Sequence, residues 1–169
     1  MIFVTVGTHE QAFDRLVKKI DELVANGVIN EEVIVQTGYC TYEPRCCTWQ
    51  KLYPYKQMEA FVKEARIVIT HGGPASFIAP LKHGKIPIVV PRQVKYNEHI
   101  NDHQLLFARE VQKRLGSILL VENIDEIENI ILHYNELIES TNACNFSNNI
   151  NFNLKLEAMV NELIENKGK

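Results

Sequence analysis

Five short, continuous apolar runs alternate along the chain with longer segments whose apolar residues recur at helical spacing. The runs lie at residues 2–6, 33–35, 66–70, 86–90 and 117–121, and a weaker candidate lies at 49–53. Strands that are apolar throughout are typical of a parallel sheet that helices cover on each side. The alternation therefore predicts an α/β chain with a Rossmann-like parallel sheet and helices on both faces.

Helices are predicted between these strands. The first has the apolar spacing of one helical face at Phe13, Leu16, Val17, Ile20, Leu23 and Val24. Others are expected at residues 55–64, 74–83, 97–114 and 124–134. The 169 residues fit one domain, which we place at 1–140. An Asn-rich loop is expected at 141–153. An amphipathic helix is expected at 154–169, with apolar residues Leu156, Met159, Val160, Leu163 and Ile164.

Composition argues against several classes of protein. The net charge of −3 gives no reason to expect a nucleic-acid partner. No stretch approaches the roughly 20 apolar residues that are needed to cross a bilayer. No signal peptide is recognisable, so we expect a cytoplasmic protein. The cysteines match no zinc-binding spacing, and reduced thiols are expected at Cys40, Cys46, Cys47 and Cys144.

Polar and glycine-rich segments follow the strands at the points where they end. Ligands of doubly wound sheets bind beyond the carboxyl ends of the strands, so these segments form the candidate site. The first segment is Gly7-Thr8-His9-Glu10. Gly7 permits a tight turn and a close approach of a ligand to the backbone. The loop is not a dinucleotide fingerprint, and it lacks the lysine of a P-loop.

The second segment runs from His71 to Ser76 and contains Gly72 and Gly73. The two glycines remove side chains from a loop that opens a helix, and Pro74 suits the first helical turn. Backbone N–H groups and the positive end of the helix dipole would attract an anion such as a diphosphate. Ser76 would add a hydroxyl donor. A plain glycine turn with no ligand is the alternative.

The third segment runs from Arg92 to Gln104. Arg92 would offset negative charge on a phosphate. Asp102 and Gln104 would hydrogen-bond to sugar hydroxyls. Alternatively, Asp102 caps a helix and the other side chains are surface residues.

A metal site is a further alternative in the same segment. His99 and His103 stand four residues apart, which places metal ligands on one helical face. However, Ile100 occupies the position where the HExxH motif needs Glu, and no third ligand follows. A metal hydrolase is therefore the weaker hypothesis.

Three segments together resemble a known family. They are FVTVGTHEQAFDRL, ITHGGPASFIAPLKHGKIPIVVPRQ and NEHINDHQ. In order and spacing they are similar to the donor-binding half of GT-B glycosyltransferases of family 28, the group that contains MurG. Within that group they look like the PssE-type enzymes of bacterial polysaccharide biosynthesis. They also resemble the catalytic subunit of the eukaryotic enzyme that adds the second N-acetylglucosamine to a dolichol-linked sugar. The resemblance covers residues 1–125.

The resemblance implies a two-component inverting glycosyltransferase. This chain would be the catalytic donor-binding subunit. A membrane-anchored PssD-like subunit would bind the acceptor, a polyprenyl-diphosphate-linked sugar, at the inner face of the cell membrane. In PssE-type enzymes the reaction is β-1,4-galactosyl transfer from UDP-galactose to lipid-linked glucose in capsular or exopolysaccharide synthesis, without a metal cofactor. A non-catalytic nucleotide-sugar-binding regulatory subunit is the alternative. An exposed acceptor-side surface would also drive association, and the sequence leaves open whether this is with the partner or as a homodimer.

The resemblance also assigns roles to individual residues. The diphosphate would lie on the loops that contain Gly7, Thr8, His9, His71, Gly72 and Gly73. The family's Asp-x-Gln pair, which holds the hydroxyls of the donor sugar, corresponds to Asp102 and Gln104, flanked by Asn101 and His103.

One position departs from the family pattern, and one role stays open. Many relatives hold the ribose with a Glu where this sequence has Ala79, and Glu98 is the candidate substitute. His9 is the first candidate for the base that removes the acceptor proton, because its loop faces the cleft and imidazole titrates near neutral pH. Glu10 is the second candidate, and a base supplied by the partner is the alternative to both.

Overall fold

The computed structural model describes residues 1–140, and one six-stranded sheet lies in that range. Its strands are β1 Ile2–Thr5, β2 Val33–Gln36, β3 Thr48–Gln50, β4 Ile67–His71, β5 Ile88–Val90 and β6 Leu119–Leu120. All neighbours are parallel, in the order β3-β2-β1-β4-β5-β6. This is the doubly wound order, and it confirms the predicted Rossmann-like sheet.

Helices connect the strands on both faces of the sheet. They are α1 Asp14–Ala25, α2 Tyr55–Glu64, α3 Pro74–Lys82, α4 His103–Leu115, α5 Ile127–Leu132 and α6 Tyr134–Ser140. Short 3₁₀ turns lie at Val94–Tyr96 and Ile124–Glu126. The predicted helices at 55–64 and 74–83 therefore match α2 and α3 to within one residue.

The core divides according to the alternation of side chains along each strand. In β1, Ile2 and Val4 face the cluster that α1, α5 and α6 cover, whereas Phe3 faces the cluster that includes Val62 of α2. Beside β5, α3 and α4 cover a third cluster, made of Phe77, Leu81, Val89, Ala108, Val111 and Ile118. Both faces are thus buried, which explains why the strands are apolar throughout.

The predicted helix at residues 97–114 is wrong at its start, because α4 begins only at His103. Asn97 has a left-handed backbone conformation with φ of 57°, which ends the preceding 3₁₀ turn. Residues 98–102 form an irregular segment. His99 and His103 therefore do not share a helical face, and the metal hypothesis loses the geometry on which it depended.

The predicted helix at residues 124–134 is also interrupted. The chain forms a 3₁₀ turn at the start of this range. Helix α5 ends at Leu132, because the next residue, His133, has φ of −103° and ψ of 18°, outside the helical range. Helix α6 then begins at Tyr134. The Asn-rich loop and the amphipathic helix predicted at 141–153 and 154–169 lie outside the described residues. Within residues 1–140, no helix combines the length and apolar character that spanning a membrane requires.

We expect Tyr134→Phe to lower the free energy of unfolding by about 1–3 kcal/mol, because it leaves a buried carbonyl without its donor. Tyr134 is 3% exposed, and its hydroxyl donates to the carbonyl of Ile86 at 2.6 Å. Burial raises the pKa of this hydroxyl to about 12. Urea unfolding measures the effect. Tyr55→Phe is the matched control, since Tyr55 is 79% exposed. Equal stability of the two variants would show that α6 is not anchored as described.

Candidate functional site

The loops that follow β1 and β4 lie side by side, since the two strands are neighbours in register from Ile2 opposite Ile67 to Thr5 opposite Thr70. The chain leaves β1 toward one edge of the sheet and β4 toward the other. Such a switch in direction opens a crevice at the carboxyl ends of the two strands, where doubly wound proteins bind ligands. The first two candidate segments thus meet at one place.

The imidazole of His71 lies between two glycines. A Cβ added to Gly7 would stand 2.5 Å from Nε2 of His71, and one added to Gly73 would stand 2.4 Å from its Cε1. Gly7 also has a positive φ of 76°, where side chains are disfavoured. Both loops therefore need glycine to make room for this ring.

Two more glycines hold the neighbouring loops together. A Cβ on Gly72 would stand 2.8 Å from Cβ of Gln104, so the turn after β4 packs directly on the start of α4. A Cβ on Gly38 would stand 2.4 Å from the carbonyl oxygen of Gly7. The glycines of the site thus have a packing role that a plain glycine turn would not require. Sequence reasoning did not single out Gly38.

His71 is held as a neutral ring. Its Nδ1 accepts the N–H of Gly73 at 3.1 Å. Burial lowers the pKa of His71 to about 4, the nearby charge of Arg92 acts in the same direction, and a hydrogen bond with Gln104 opposes it. Because Nδ1 accepts, the proton of the neutral ring lies on Nε2.

His9 is arranged in the same way on the loop after β1. Its Nδ1 accepts the N–H of Gln11 at 3.2 Å, and its ring centroid lies 4.5 Å from that of His99. Burial lowers the pKa of His9, with smaller contributions from His99 and Arg92, while Glu10 raises it. The second nitrogen of neutral His9 therefore carries a proton and donates, whereas a general base needs a free lone pair.

The remaining residues of these two loops differ in their accessibility. Thr8 and Glu10 are exposed beside His9. The hydroxyl of Ser76 lies 2.8 Å from the carbonyl oxygen of His71 and 2.6 Å from that of Gly73. Ser76 thus donates within the first turn of α3, where the sequence predicted a donor to a ligand.

Arg92 was predicted to offset negative charge on a phosphate, and its burial means that it can do so only through its electric field and not by direct contact. Arg92 is 0% exposed. Its guanidinium donates to the carbonyls of Val6 at 2.9 Å, Gln11 at 2.6 Å and Glu98 at 3.0 Å. Arg92 therefore joins the loop after β1 to the loop after β5. Its charge acts on His9 and His71 from the protein interior.

Glu98 is also corrected, because it is not free to bind a ribose. It is 3% exposed, and its two oxygens accept from Arg15 at 2.8 and 2.9 Å. One oxygen accepts the N–H of Gln93 as well, at 3.1 Å. Bidentate pairing of this kind fixes both side chains. Ala79, where many relatives have Glu, packs against the apolar cluster beneath α2.

The polar residues before and within the first turn of α4 hold this part of the chain in shape. Asn101 accepts the N–H of His103 at 3.2 Å, and the exposed Asp102 accepts the N–H of Val94 at 2.9 Å. Asp102 occupies the N-cap position of α4 without a side-chain cap. Oε1 of Gln104 accepts the N–H of Arg92 at 3.3 Å.

A pocket of about 410 Å³ lies between the ends of β2 and β3, beside Gly38. Its lining includes three aromatic side chains and one lysine: Tyr39, Tyr42, Trp49 and Lys51. No motif or spacing singled out in the sequence predicted this pocket.

Two carboxylates of α1 hold the wall of this pocket. Asp14 accepts the N–H of Thr41 at 2.9 Å, and Asp21 accepts the hydroxyl of Tyr42 at 2.7 Å and the N–H of Cys46 at 2.7 Å. Asp14 and Asp21 stand seven residues apart, on one side of the helix. The seven-residue spacing of these two acids on α1 was the available signal.

The three cysteines within residues 1–140 have free thiols, and the sequence predicted reduced thiols at these positions. Cys40, Cys46 and Cys47 are free thiols. Burial raises the pKa of Cys40 to about 11 and that of Cys47 to about 12, which keeps both protonated. Across residues 1–140, no group of three histidine, cysteine or acidic side chains is placed to hold a metal ion.

Comparison with known proteins gives the family. The profile described as glycosyltransferase family 28 C-terminal domain matches residues 1–163. The mouse (Mus musculus) protein named UDP-N-acetylglucosamine transferase subunit ALG13 is 31% identical over 123 residues, which is 66% of this chain and 10% of that protein. The chain thus spans about a tenth of this relative. It belongs to the glycosyltransferase family 28 C-terminal domain family.

Solved structures show the same fold at low sequence identity. The kitacinnamycin glycotransferase superimposes with a TM-score of 0.57 at 18% identity, covering 96% of this chain and 38% of that one. The glycosyltransferase SnogD from Streptomyces nogalater gives 0.56 at 19% identity, covering 95% of this chain and 39% of that one. The chain therefore has the fold of one part of a larger GT-B glycosyltransferase.

We expect Gly7→Ala to be far more damaging than Gly116→Ala. Both glycines have positive φ, of 76° and 59°, but a Cβ at Gly116 meets nothing within 4 Å. The control should lose about 1–2 kcal/mol through backbone strain. Gly7→Ala should lose about 1–3 kcal/mol more, because its methyl group overlaps His71. Chemical denaturation measures both, and equal losses would contradict the packing described for His71.

A pH dependence follows from the neutral state of His71. As pH falls below its ordinary pKa of 6.5, the unfolded chain takes up a proton that folded His71 resists until its pKa of about 4. The free energy of unfolding should therefore fall between these pH values. His71→Gln should show a shallower decline, and His83→Gln, at an exposed position after α3, should follow the wild type. Parallel curves for wild type and His71→Gln would contradict the burial of the ring.

Proposed function

We propose that the chain is the donor-binding catalytic subunit of a two-component inverting glycosyltransferase. It transfers a hexose from a UDP-sugar to a polyprenyl-diphosphate-linked sugar held by a second, membrane-anchored subunit. The observation that carries this proposal is the meeting of the β1 and β4 loops at the switch point of a family 28 domain. The chain itself would be peripheral at the inner face of the membrane through its partner.

The diphosphate of the donor fits the crevice between these loops. The turn at Gly72 and Gly73 leads into α3, whose N-terminus favours negative charge. Arg92 lies buried beneath the crevice, and a charge in such surroundings is poorly screened by water or salt. The protein as a whole is negatively charged, so this local positive field is what would select an anion.

The two ends of the donor then lie on either side of the diphosphate. The aromatic-walled pocket between β2 and β3 has room for a planar base and offers rings for stacking. Asp102 is exposed near the start of α4, and Asp102 with the amide of Gln104 supplies hydrogen-bonding groups for the hydroxyls of a hexose. This assignment keeps the family's Asp-x-Gln pair in the role that the resemblance gives it.

The reaction is a substitution at the anomeric carbon. The acceptor hydroxyl attacks that carbon, the bond to the diphosphate oxygen breaks, and UDP leaves with the bonding electrons. Positive charge develops on the sugar ring and negative charge on the leaving diphosphate. Fixed donors directed at the diphosphate stabilise that charge. No metal is required, since α3, Arg92 and the N–H groups of the site would share this work.

The proton of the acceptor hydroxyl must pass to a base. His9 is less suited to this than its sequence position suggests, because its Nδ1 already accepts the N–H of Gln11. Glu10, which is exposed on the same loop, is this chain's second candidate. A carboxylate or imidazole of the partner subunit is the alternative, and it would place the two halves of the chemistry on two chains.

The identity of the donor sugar is proposed from the similarity of this chain to known glycosyltransferases. Similarity to PssE-type enzymes favours galactose and a β-1,4 linkage to lipid-linked glucose, in capsular or exopolysaccharide synthesis. The mouse relative is named for UDP-N-acetylglucosamine and as a subunit, which supports a partner and names a second donor to test. A non-catalytic regulatory subunit would bind UDP-sugar and transfer nothing.

The test is a transfer assay with the full chain, alone and with a membrane-anchored candidate partner. Membranes that contain lipid-linked glucose are incubated with labelled UDP-galactose, UDP-glucose or UDP-N-acetylglucosamine. Label in the lipid fraction, dependent on this chain, is expected with one donor. Binding of UDP without transfer to any lipid, with and without the partner, would replace the enzyme with the regulatory subunit.

We expect Asp102→Ala to lower the preference for the correct UDP-sugar over UDP by about tenfold, as loss of a charged hydrogen bond does. Affinity for UDP itself should stay within twofold, because Asp102 would contact only the sugar. Calorimetric titration with both ligands measures this, and Glu59→Ala on the exposed side of α2 is the control. A collapse of UDP affinity would show that Asp102 has been assigned to the wrong part of the donor.

A further inference from the structure

Three histidines of the site each accept the same type of local hydrogen bond, from the backbone N–H two residues further along the chain. Nδ1 of His9 accepts the N–H of Gln11 at 3.2 Å, and Nδ1 of His71 accepts that of Gly73 at 3.1 Å. Nδ1 of His99 likewise accepts the N–H of the residue two positions on, Asn101, at 3.3 Å. The three rings come from the loop after β1, the last residue of β4 and the loop after β5, so the repetition is not a feature of one turn.

This hydrogen bond fixes which nitrogen carries the proton. A backbone N–H can only donate to an imidazole nitrogen that has a free lone pair, so neutral His9 and His99 both carry their proton on Nε2. Protonation of Nδ1 would break the bond to the backbone. Each ring is therefore held as a donor through Nε2, and its uncharged form is the one that keeps the loops in place.

His9 and His99 form a pair at the surface of the site. Their ring centroids are 4.5 Å apart, and the rings are tilted by 42°. Both side chains are half-buried. The resemblance assigned no role to His99, and the sequence offered it only as a metal ligand with His103. The structure instead brings it to the loop of the first candidate segment.

The groups around His9 favour its neutral form. Arg92 lies beneath the loops, and its charge lowers the pKa of both His9 and His71. His99 lowers the pKa of His9 as well, and both rings lower the pKa of His71, while Glu10 on the exposed side raises the pKa of His9. An anion in the crevice would thus meet uncharged N–H donors above a buried permanent cation.

We propose that His99 is a further ligand of the diphosphate, and that His9 and His99 bind one phosphate group together as neutral Nε2–H donors. This inference rests on the proposed function, since the anion is the diphosphate of the donor nucleotide. Hydrogen bonds to an ionised acceptor are short and strong. Two donors from separate loops would also join the β1 loop to the loop before α4 when the nucleotide binds.

The test uses full-length His99→Phe and His99→Gln. Phenylalanine keeps a ring against His9 but removes the N–H, whereas the glutamine amide can still donate. UDP affinity, measured by calorimetry at pH 7.5, should fall about tenfold in His99→Phe and stay within about threefold of wild type in His99→Gln. His83→Gln, on the exposed surface, should bind as wild type does. Wild-type affinity in His99→Phe would overturn the proposal.

A second measurement tests whether His9 and His99 bind the phosphate as neutral imidazoles or as charged imidazolium groups. Wild-type titrations in buffers of different ionisation enthalpy should show no proton uptake, and affinity should stay level between pH 7 and 8.5. Uptake of a proton, with affinity falling by about tenfold per pH unit, would overturn the neutral pair even if one variant fails to fold.

Inorganic pyrophosphate distinguishes failure of this inference from failure of the proposed function. Binding of pyrophosphate that depends on His99, without binding of UDP, would keep the anion site and remove the nucleotide. Binding of UDP that is indifferent to His99 would keep the function and remove this ligand. Binding of neither would overturn both.

Discussion

The arrangement of the site depends on one buried cation. Arg92 is enclosed completely, and its guanidinium is held by backbone carbonyls from the loop after β1 and the segment before α4. Its charge is not neutralised by a direct partner, because the nearby carboxylate of Glu98 is bound to Arg15. Burying a charge is costly unless hydrogen bonds replace water, so the two loops must stay in the positions that supply those carbonyls.

That constraint gives the site its electrostatic character. The two arginines and one glutamate of the network leave a net positive charge below a crevice whose upper residues are neutral histidines and glycines. A crevice built in this way would attract an anion through a fixed field and through N–H groups. This accounts for how a chain of net charge −3 could bind a diphosphate.

The sequence predicted the fold well and the site only in part, for physical reasons. Apolar runs report burial on both faces of a sheet, so β1, β4 and α2 were predictable within a residue or two. The roles of Arg92 and Glu98 were not, because an arginine after a strand looks the same whether it meets a ligand or the carbonyls of a distant loop. Likewise, the spacing of His99 suggested a helix that Asn97 prevents from starting.

Amide chemical shifts of the isotope-labelled full chain during a UDP titration test the central claim most directly. The account predicts saturable shifts at residues 7–11 and 71–76 on the carboxyl edge of the sheet. Residues 28–31, 131, 132 and 135, which line a separate groove of about 320 Å³, should not respond. Saturable shifts confined to that second groove, or none anywhere with the partner subunit present, would contradict the account.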